Sequence, residues 1–263
     1  MPKKISLFDV AIDNLSMAEL IPKLKFGGIV FTPNVDHVMR LRHDAEFRSI
    51  YNCATYRTCD SQVLMYAARI LGQPLVEKIS GSDLFPAFYN YYAADPDVKI
   101  FLLGAQEGVA AVAQKQINQK VGRNMVVGVY SPPFGFEKDT AECDRIVEMV
   151  EVSGANVLAV GLGCPKQERW IYNYKDQFNA IKLFLAIGAT IDFEAGNVSR
   201  APKWISDIGF EWVYRLLREP RRLWKRYILN DLPFAWVLLE EWIKTKQQRP
   251  VKAAQVEVEN PFS

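Results

Sequence analysis

The amino-acid sequence predicts an α/β fold: a Rossmann-like, mostly parallel sheet flanked by helices, with a helical C-terminal appendage. Three observations predict it. From residue 98 onward, short apolar runs alternate with longer amphipathic stretches, as in βαβ units. Glycine-containing turns follow two of these runs, at positions where parallel strands meet their ligands. After residue 200 the chain becomes rich in arginine and tryptophan.

The elements follow from these patterns in chain order. In the first 95 residues, which we expect to extend the sheet and cover one edge, strands are predicted at ISLFDVAI, GIVFTP and YRTCD. Helices are predicted there from about 35 to 52 and through QVLMYAARILG, ending at Gly72. Later strands are predicted at VKIFLLG, MVVGVY, NVLAVGLG and IKLFLAIG, with helices at about 106–120, 138–153 and 165–179.

Three regions are predicted from composition. Residues 1–200 form the α/β core, and residues 201–245 form a basic, tryptophan-rich helical appendage. The last segment, 246–263, is polar and aperiodic, which predicts a disordered tail.

Composition and charge exclude several classes of protein. The 263 residues are 49% apolar with a net charge of +2, which predicts a globular protein and no nucleic-acid partner. Four cysteines without a CxxC pair and only two histidines lack zinc-site spacing, so no metal is predicted. The longest apolar run, LFLAIGATI, has about half the ~18 residues of a membrane span. With no signal-peptide pattern, we predict a location on the cytoplasmic side.

The stretch GLGCPKQERW begins where the apolar run ANVLAV ends. Gly161 and Gly163 could let backbone amides approach a phosphate, or could serve a tight strand-to-helix turn. Lys166 replaces the third glycine of a dinucleotide fingerprint, and no acid follows about 20 residues later. A Rossmann dehydrogenase is therefore disfavoured. The similar turn at 101–108 is predicted to be structural.

Polar residues follow two predicted strands of the first half. Thr32 and Asn34 in FTPNVDHV lie at the expected ligand edge, although Asn34 could equally cap the next helix. Asp60 in RTCDSQ could cap a helix or act as a general base. The spacing leaves both interpretations open.

Two further groups of acids have different expected positions. Asp192 and Glu194 in TIDFEAG follow the last predicted strand, where a carboxylate could bind sugar hydroxyls or orient the arginines downstream. The DPD at 95–97 resembles a metal-binding motif but precedes a strand. It is therefore predicted to be a plain turn at the opposite edge.

Six segments, in this order, resemble the WecG/TagA/CpsF family of bacterial glycosyltransferases (glycosyltransferase family 26). They are TPNVDHV, the Asp60 segment, ISGSDL, GLGCPKQERW, TIDFEAGNVSRAPKW and EWVYRLLREPRR. The resemblance covers about residues 5 to 230. It implies inverting, metal-independent transfer from a UDP-sugar to an undecaprenyl-diphosphate-linked saccharide in cell-envelope or exopolysaccharide synthesis. It also implies a self-associating peripheral enzyme of the cytoplasmic membrane face, without a cofactor.

Carried over by motif, the resemblance implies Asp60 as catalytic base, Thr32 and Asn34 beside donor and acceptor, and Gln167 in the donor pocket. Arginines of the appendage are implied to complete the site and to touch an anionic membrane: Arg215, Arg218, Arg221 and Arg222. Without a metal, helix N-termini, glycine-loop amides and arginines are expected to neutralise the leaving diphosphate.

One segment departs from the family pattern. The family commonly has Asp-Gly-x-Gly where this chain has Asp60-Ser61-Gln62-Val63. The departure bears on the donor sugar more than on the reaction, since the aspartate remains. It also motivates an alternative function, a non-catalytic membrane- or partner-binding scaffold with the same fold.

Overall fold

The protein is built around a six-stranded parallel sheet, seen here in a computed structural model. The structure describes residues 3–198, 201–202, 205, 210–218, 220–224 and 233–258. The strands are β1 Lys3–Leu7, β2 Val10–Asn14, β3 Gly28–Phe31, β4 Tyr56–Arg57, β5 Ile100–Gly104, β6 Val126–Tyr130, β7 Val157–Gly161 and β8 Leu183–Ala186. The sheet order β4-β3-β8-β7-β5-β6, with every neighbouring pair parallel, confirms the predicted class.

Helices cover both faces of the sheet. They are α1 Met17–Leu20, α2 Val35–His43, α3 Ala45–Asn52, α4 Gln62–Ile70, α5 Gly81–Tyr91, α6 Val109–Val121, α7 Thr140–Val152, α8 Lys166–Tyr174, α9 Thr190–Glu194, α10 Glu211–Arg218, α11 Pro220–Trp224 and α12 Phe234–Val258. Short 3₁₀ turns lie at Ile21–Phe26, Phe136–Lys138 and Lys175–Gln177.

Strand β7 shows how the core is divided. Leu158 and Val160 belong to one hydrophobic cluster, and Val157 and Ala159 belong to the other. All four are buried, as expected of a parallel strand covered by helices on both faces. The continuous apolar runs of the sequence therefore correspond to strands whose two faces are both buried.

The prediction of a single strand at ISLFDVAI is wrong, because the segment forms two strands. It is an antiparallel hairpin of β1 and β2, in which Leu7 pairs with Val10. The two turn residues between them, Phe8 and Asp9, have φ values of 54° and 63°, the backbone that a two-residue hairpin requires. The hairpin forms its own two-stranded sheet, so only β3 and β4 of the first half extend the main sheet.

Helix α5 is an element that the sequence patterns did not predict. The Ser80 side chain caps it by accepting from the Asp83 amide at 3.1 Å. A Cβ on Gly81 would lie 3.1 Å from the Ile187 Cα. The N-terminus of α5 is therefore packed directly against the exit of β8.

The C-terminal helix α12 begins on the core. Phe234 and Val237 are buried, and the Phe234 ring lies 4.9 Å from the Phe8 ring. The helix extends to Val258, past the boundary at 245 where the sequence predicts a disordered tail. Within the described ranges, no helix combines the length and apolar character that crossing a membrane requires.

Replacing Gly104 should test the backbone packing at the end of β5. Gly104 has a φ of 127°, and a Cβ there would lie 2.4 Å from the Gly161 carbonyl oxygen. Gly104→Ala should lower the free energy of unfolding, measured in urea, by more than about 2 kcal/mol. Gly122→Ala is the matched control, because Gly122 has a φ of 72° but no described heavy atom within 4 Å of its Cβ position. Its loss should be about 1–2 kcal/mol, and equal losses would contradict the packing argument.

Candidate active site

The carboxyl ends of four neighbouring strands bring together Asp60, Asn34 and Gly163, which the sequence singled out, and Gly188, which it did not. Asp60 follows β4, Asn34 follows β3, Gly188 follows β8 and Gly163 follows β7. The Asp60 amide donates to the Pro33 carbonyl at 2.8 Å, which joins the first two exits. Ligands of open α/β sheets bind at this edge, so the edge is the candidate site.

Asp60 is half-buried and does not cap the helix that follows it. The cap is Ser61, whose side chain accepts from the Leu64 amide at 3.3 Å. The N-cap position of α4 therefore belongs to Ser61 and not to Asp60, and a general-base role for Asp60 stays a prediction. Burial raises the pKa of the neighbouring Cys59 to about 12, so that residue stays a neutral thiol at physiological pH.

Asn34 caps helix α2, as one interpretation of the sequence proposed. Its Oδ1 accepts from the His37 amide at 3.3 Å and lies 2.8 Å from His37 Nδ1. The neighbouring Thr32 is buried, with 7% of its surface exposed. The cap formed by Asn34 therefore fixes the turn that joins β3 to α2.

Gln167 joins two turns of the site. Its Oε1 accepts from the amides of Gly163 at 3.2 Å and Gly188 at 3.1 Å, and its Nε2 donates to Glu168 Oε1 at 2.9 Å. The side chain is 4% exposed. A donor-pocket contact for Gln167 stays a prediction, whereas its observed contacts fix the exits of β7 and β8.

The two glycines of GLGCPK have different surroundings. A Cβ on Gly161 would lie 2.7 Å from the Gly188 carbonyl oxygen, so Gly161 is needed for packing. Gly163 has a φ of 78°, and no described heavy atom lies within 4 Å of its Cβ position. The turn at Gly163 is open enough for a ligand to approach the backbone. Helix α8 starts just beyond it without a side-chain cap from the described residues.

The remaining acids separate into three environments. Asp192 is half-buried in the short helix α9. Glu194 is buried and bound by Lys120 Nζ at 2.7 Å and the Tyr89 hydroxyl at 2.9 Å, which makes it a structural group. Asp95 lies before β5, at the opposite edge, where a hydrogen bond from Lys25 at 3.1 Å lowers its pKa. The DPD segment is therefore a turn, as predicted.

The appendage arginines are only partly described. Arg218 and Arg221 are exposed, and the Arg218 guanidinium lies 5.4 Å from the centre of the Tyr214 ring. Arg215 and Arg222 belong to α10 and α11, but their side chains lie outside the described part of the chain. Their contact with the site stays a prediction.

A cluster of three polar side chains beneath the carboxyl edge is not predicted by the sequence. Donor atoms of His37, Cys164 and Glu168 all lie within 4.8 Å of one another. Burial raises the pKa of Tyr51 well above its usual range, and the nearby groups of Glu168, Cys164 and Asp60 add to the effect. No spacing in the sequence could reveal this group, since the fold alone brings residues 37 and 168 together.

This arrangement defines an α/β protein whose parallel sheet carries a carboxylate, an open glycine turn and a helix N-terminus at its carboxyl edge, where folds of this class bind ligands. A family model described as "Glycosyl transferase WecG/TagA/CpsF family" matches residues 5–248. The chain belongs to this family, which confirms the resemblance drawn from its motifs.

Two similar proteins of Staphylococcus aureus, strains MRSA252 and MW2, are both named N-acetylglucosaminyldiphosphoundecaprenol N-acetyl-beta-D-mannosaminyltransferase. They are 27% and 26% identical to this chain over 231 residues. Each alignment covers 85% of this chain and 86% of the relative.

Removing the polar atoms of Gln167 should loosen both turns that it joins. Gln167→Leu leaves two backbone amides and Glu168 without this partner, so the free energy of unfolding should fall by about 1–3 kcal/mol. Hydrogen exchange should be faster at the amides of Gly163 and Gly188, which mass spectrometry can measure. The control Gln106→Leu changes an exposed glutamine and should leave both quantities nearly unchanged. Unchanged exchange in Gln167→Leu would contradict the joining role.

Proposed function

We propose that this chain is an inverting glycosyltransferase that moves a hexosyl or N-acetylhexosaminyl group from a UDP-sugar to an undecaprenyl-diphosphate-linked saccharide, forming a β linkage. The observation that carries the proposal is the position of Asp60 at the carboxyl edge, next to the β3 exit, with helix α4 capped by Ser61 instead. Family membership and the names of the two relatives support the acceptor class.

In the proposed reaction, the Asp60 carboxylate takes the proton of an acceptor hydroxyl. The hydroxyl oxygen forms a bond to the anomeric carbon as the bond from that carbon to the UDP oxygen breaks on the opposite face. The electron pair leaves with UDP, and the configuration at the carbon inverts. General-base assistance of this kind contributes about 10²–10⁴ in rate. Thr32 and Asn34 would bind the reactants beside the base, and Asp192 would bind sugar hydroxyls.

Neutralising the departing diphosphate is the second requirement. The N-terminus of α8, which lies beside the open Gly163 turn, offers backbone amides, which together with the helix dipole favour anions. Arg218 and Arg221, together with Arg215 and Arg222, would add guanidinium groups. These groups would take the place of a metal in the transfer step.

The exposed side chains of the appendage support peripheral binding to the cytoplasmic face of the plasma membrane. Leu217 is 77% exposed and Trp236 is 67% exposed, and the exposed Arg218 and Arg221 lie in the same region of the sequence. Each basic residue near an anionic leaflet contributes about 1 kcal/mol, and tryptophan favours the membrane interface. Self-association, which the resemblance implies, stays a prediction.

The departure at Ser61 has a physical explanation that is compatible with catalysis. Ser61 holds the start of α4 through its side chain, so the segment after Asp60 keeps a defined backbone without the family glycines. The scaffold alternative predicts membrane binding without sugar transfer. A panel of UDP-sugars with a lipid-diphosphate acceptor distinguishes the two functions.

Replacing the proposed base should stop the reaction without unfolding the protein. Asp60→Asn should lower the rate of UDP release by at least about 10²-fold, while the melting temperature stays close to that of the unmodified protein. Asp97→Asn, at an exposed position of the opposite edge, is the control and should remain active. Mass spectrometry of the product identifies the donor sugar. Full activity of Asp60→Asn would reject Asp60 as the base.

Reversing charge in the appendage should weaken binding to anionic vesicles. The double variant Arg218→Glu, Arg221→Glu should sediment with phosphatidylglycerol vesicles at least about tenfold more weakly, because about 1 kcal/mol is lost per cation removed. Neutral phosphatidylcholine vesicles should show little difference. The matched control Arg69→Glu, Arg145→Glu changes two exposed arginines of the core, and equal weakening by the control would contradict a specific role for the appendage.

A further inference from the structure

We propose that His37, Cys164 and Glu168 form a binding site for a divalent transition-metal ion of the zinc class. The ion would be structural and would lie beneath the carboxyl edge, so the proposal does not depend on the transferase reaction. Nothing in the sequence spacing indicates such a site, because α2 and α8 are far apart in the chain.

The donor set and its burial fit such an ion. One nitrogen, one sulfur and one oxygen lie within 4.8 Å of one another, and His37 Nε2 is 3.3 Å from Glu168 Oε1. His37 is 4% exposed and Glu168 is 0% exposed, whereas Cys164 is half-buried. Imidazole, thiolate and carboxylate are the ligands that Zn²⁺ takes in proteins.

Hydrogen bonds orient the His37 ring between Asn34 and Glu168. Asn34 Oδ1 lies 2.8 Å from His37 Nδ1, and the Asn34 backbone amide donates to the same nitrogen at 3.4 Å. The other ring nitrogen, Nε2, is in contact with Glu168 Oε1 and can bind a metal ion through its lone pair. The Asn34 bond is also the kind of outer contact that orients metal-binding histidines.

The surroundings of Glu168 favour a bound cation. Its Oε1 accepts from Gln167, but its buried Oε2 has no hydrogen-bond partner among the described residues. A cation bound by the carboxylate would offset the cost of burying this oxygen without a partner. A divalent ion bound by carboxylate, thiolate and neutral imidazole makes the cluster neutral.

The position of the site indicates what the ion would do. His37 lies in the first turn of α2, after β3, and Glu168 lies in the first turn of α8, after β7. The strand β8 separates β3 and β7 in the sheet. The ion would therefore tie two separated strand exits together and hold Asn34 and the Gly163 turn in a fixed relation.

Titration of the metal-free, full-length protein with Co²⁺ tests the proposal directly. One equivalent should bind per chain and produce visible d–d bands with a near-ultraviolet thiolate-to-cobalt charge-transfer band, and Zn²⁺ should displace it. Cys164→Ser should lose the charge-transfer band, and His37→Gln or Glu168→Gln should weaken binding by at least about 10–100-fold. Cys53→Ser and His43→Gln, a half-buried thiol and an exposed imidazole elsewhere, are the matched controls and should bind normally.

The rescue variant Cys164→His, which supplies a different ligand, should bind Co²⁺ without the charge-transfer band. It guards against a Cys164→Ser protein that simply fails to fold. No stoichiometric binding by the unmodified protein, or a charge-transfer band that survives in Cys164→Ser, would overturn the proposal. Asp60→Asn should keep the band, so failure of the metal site and failure of the proposed transferase are distinguishable.

Discussion

Close backbone packing at the ends of three neighbouring strands is the constraint on which the candidate site depends. A Cβ at Gly104 would strike the Gly161 carbonyl, and a Cβ at Gly161 would strike the Gly188 carbonyl. The exits of β5, β7 and β8 therefore touch through their main chains, with glycine required on each contact. This packing leaves little freedom in the turns that follow, and those turns form one side of the candidate site.

A chain of side-chain hydrogen bonds connects these packed strand ends to the carboxyl end of β3. Gln167 binds the amides of Gly163 and Gly188, Glu168 accepts from Gln167, and His37 lies between Glu168 and Asn34. Because these side chains are largely buried, their hydrogen bonds exchange little with water and have few alternative partners. A substitution at the carboxyl end of β7 should therefore alter the position of the Asn34 side chain, although the two sites are far apart in the sequence.

Local patterns predicted the parts of this structure that are local. Six strands of the parallel sheet and most of the helices between them follow from apolar runs and periodicity, which each segment carries by itself. The helix predicted from about 35 to 52 is two helices, α2 and α3, with Asp44 between them. The hairpin was missed because Phe8 and Asp9 occupy a turn that usually shows Asn or Gly, and α5 was missed because it contains Pro86. Asn34 was recognised as a possible cap, but its link through His37 to Glu168 depends on sheet order, which no local signal encodes.

The charge of the Glu168 carboxylate affects how a diphosphate would bind at the carboxyl edge. A buried carboxylate at Glu168 would repel a diphosphate bound at the Gly163 turn, and buried charges are poorly screened by salt. Amides at the N-terminus of α8 attract anions only weakly by comparison with a full charge. A cation bound by Glu168, as proposed above, would reduce this repulsion. The affinity for the donor and the state of the buried cluster are then linked through electrostatics.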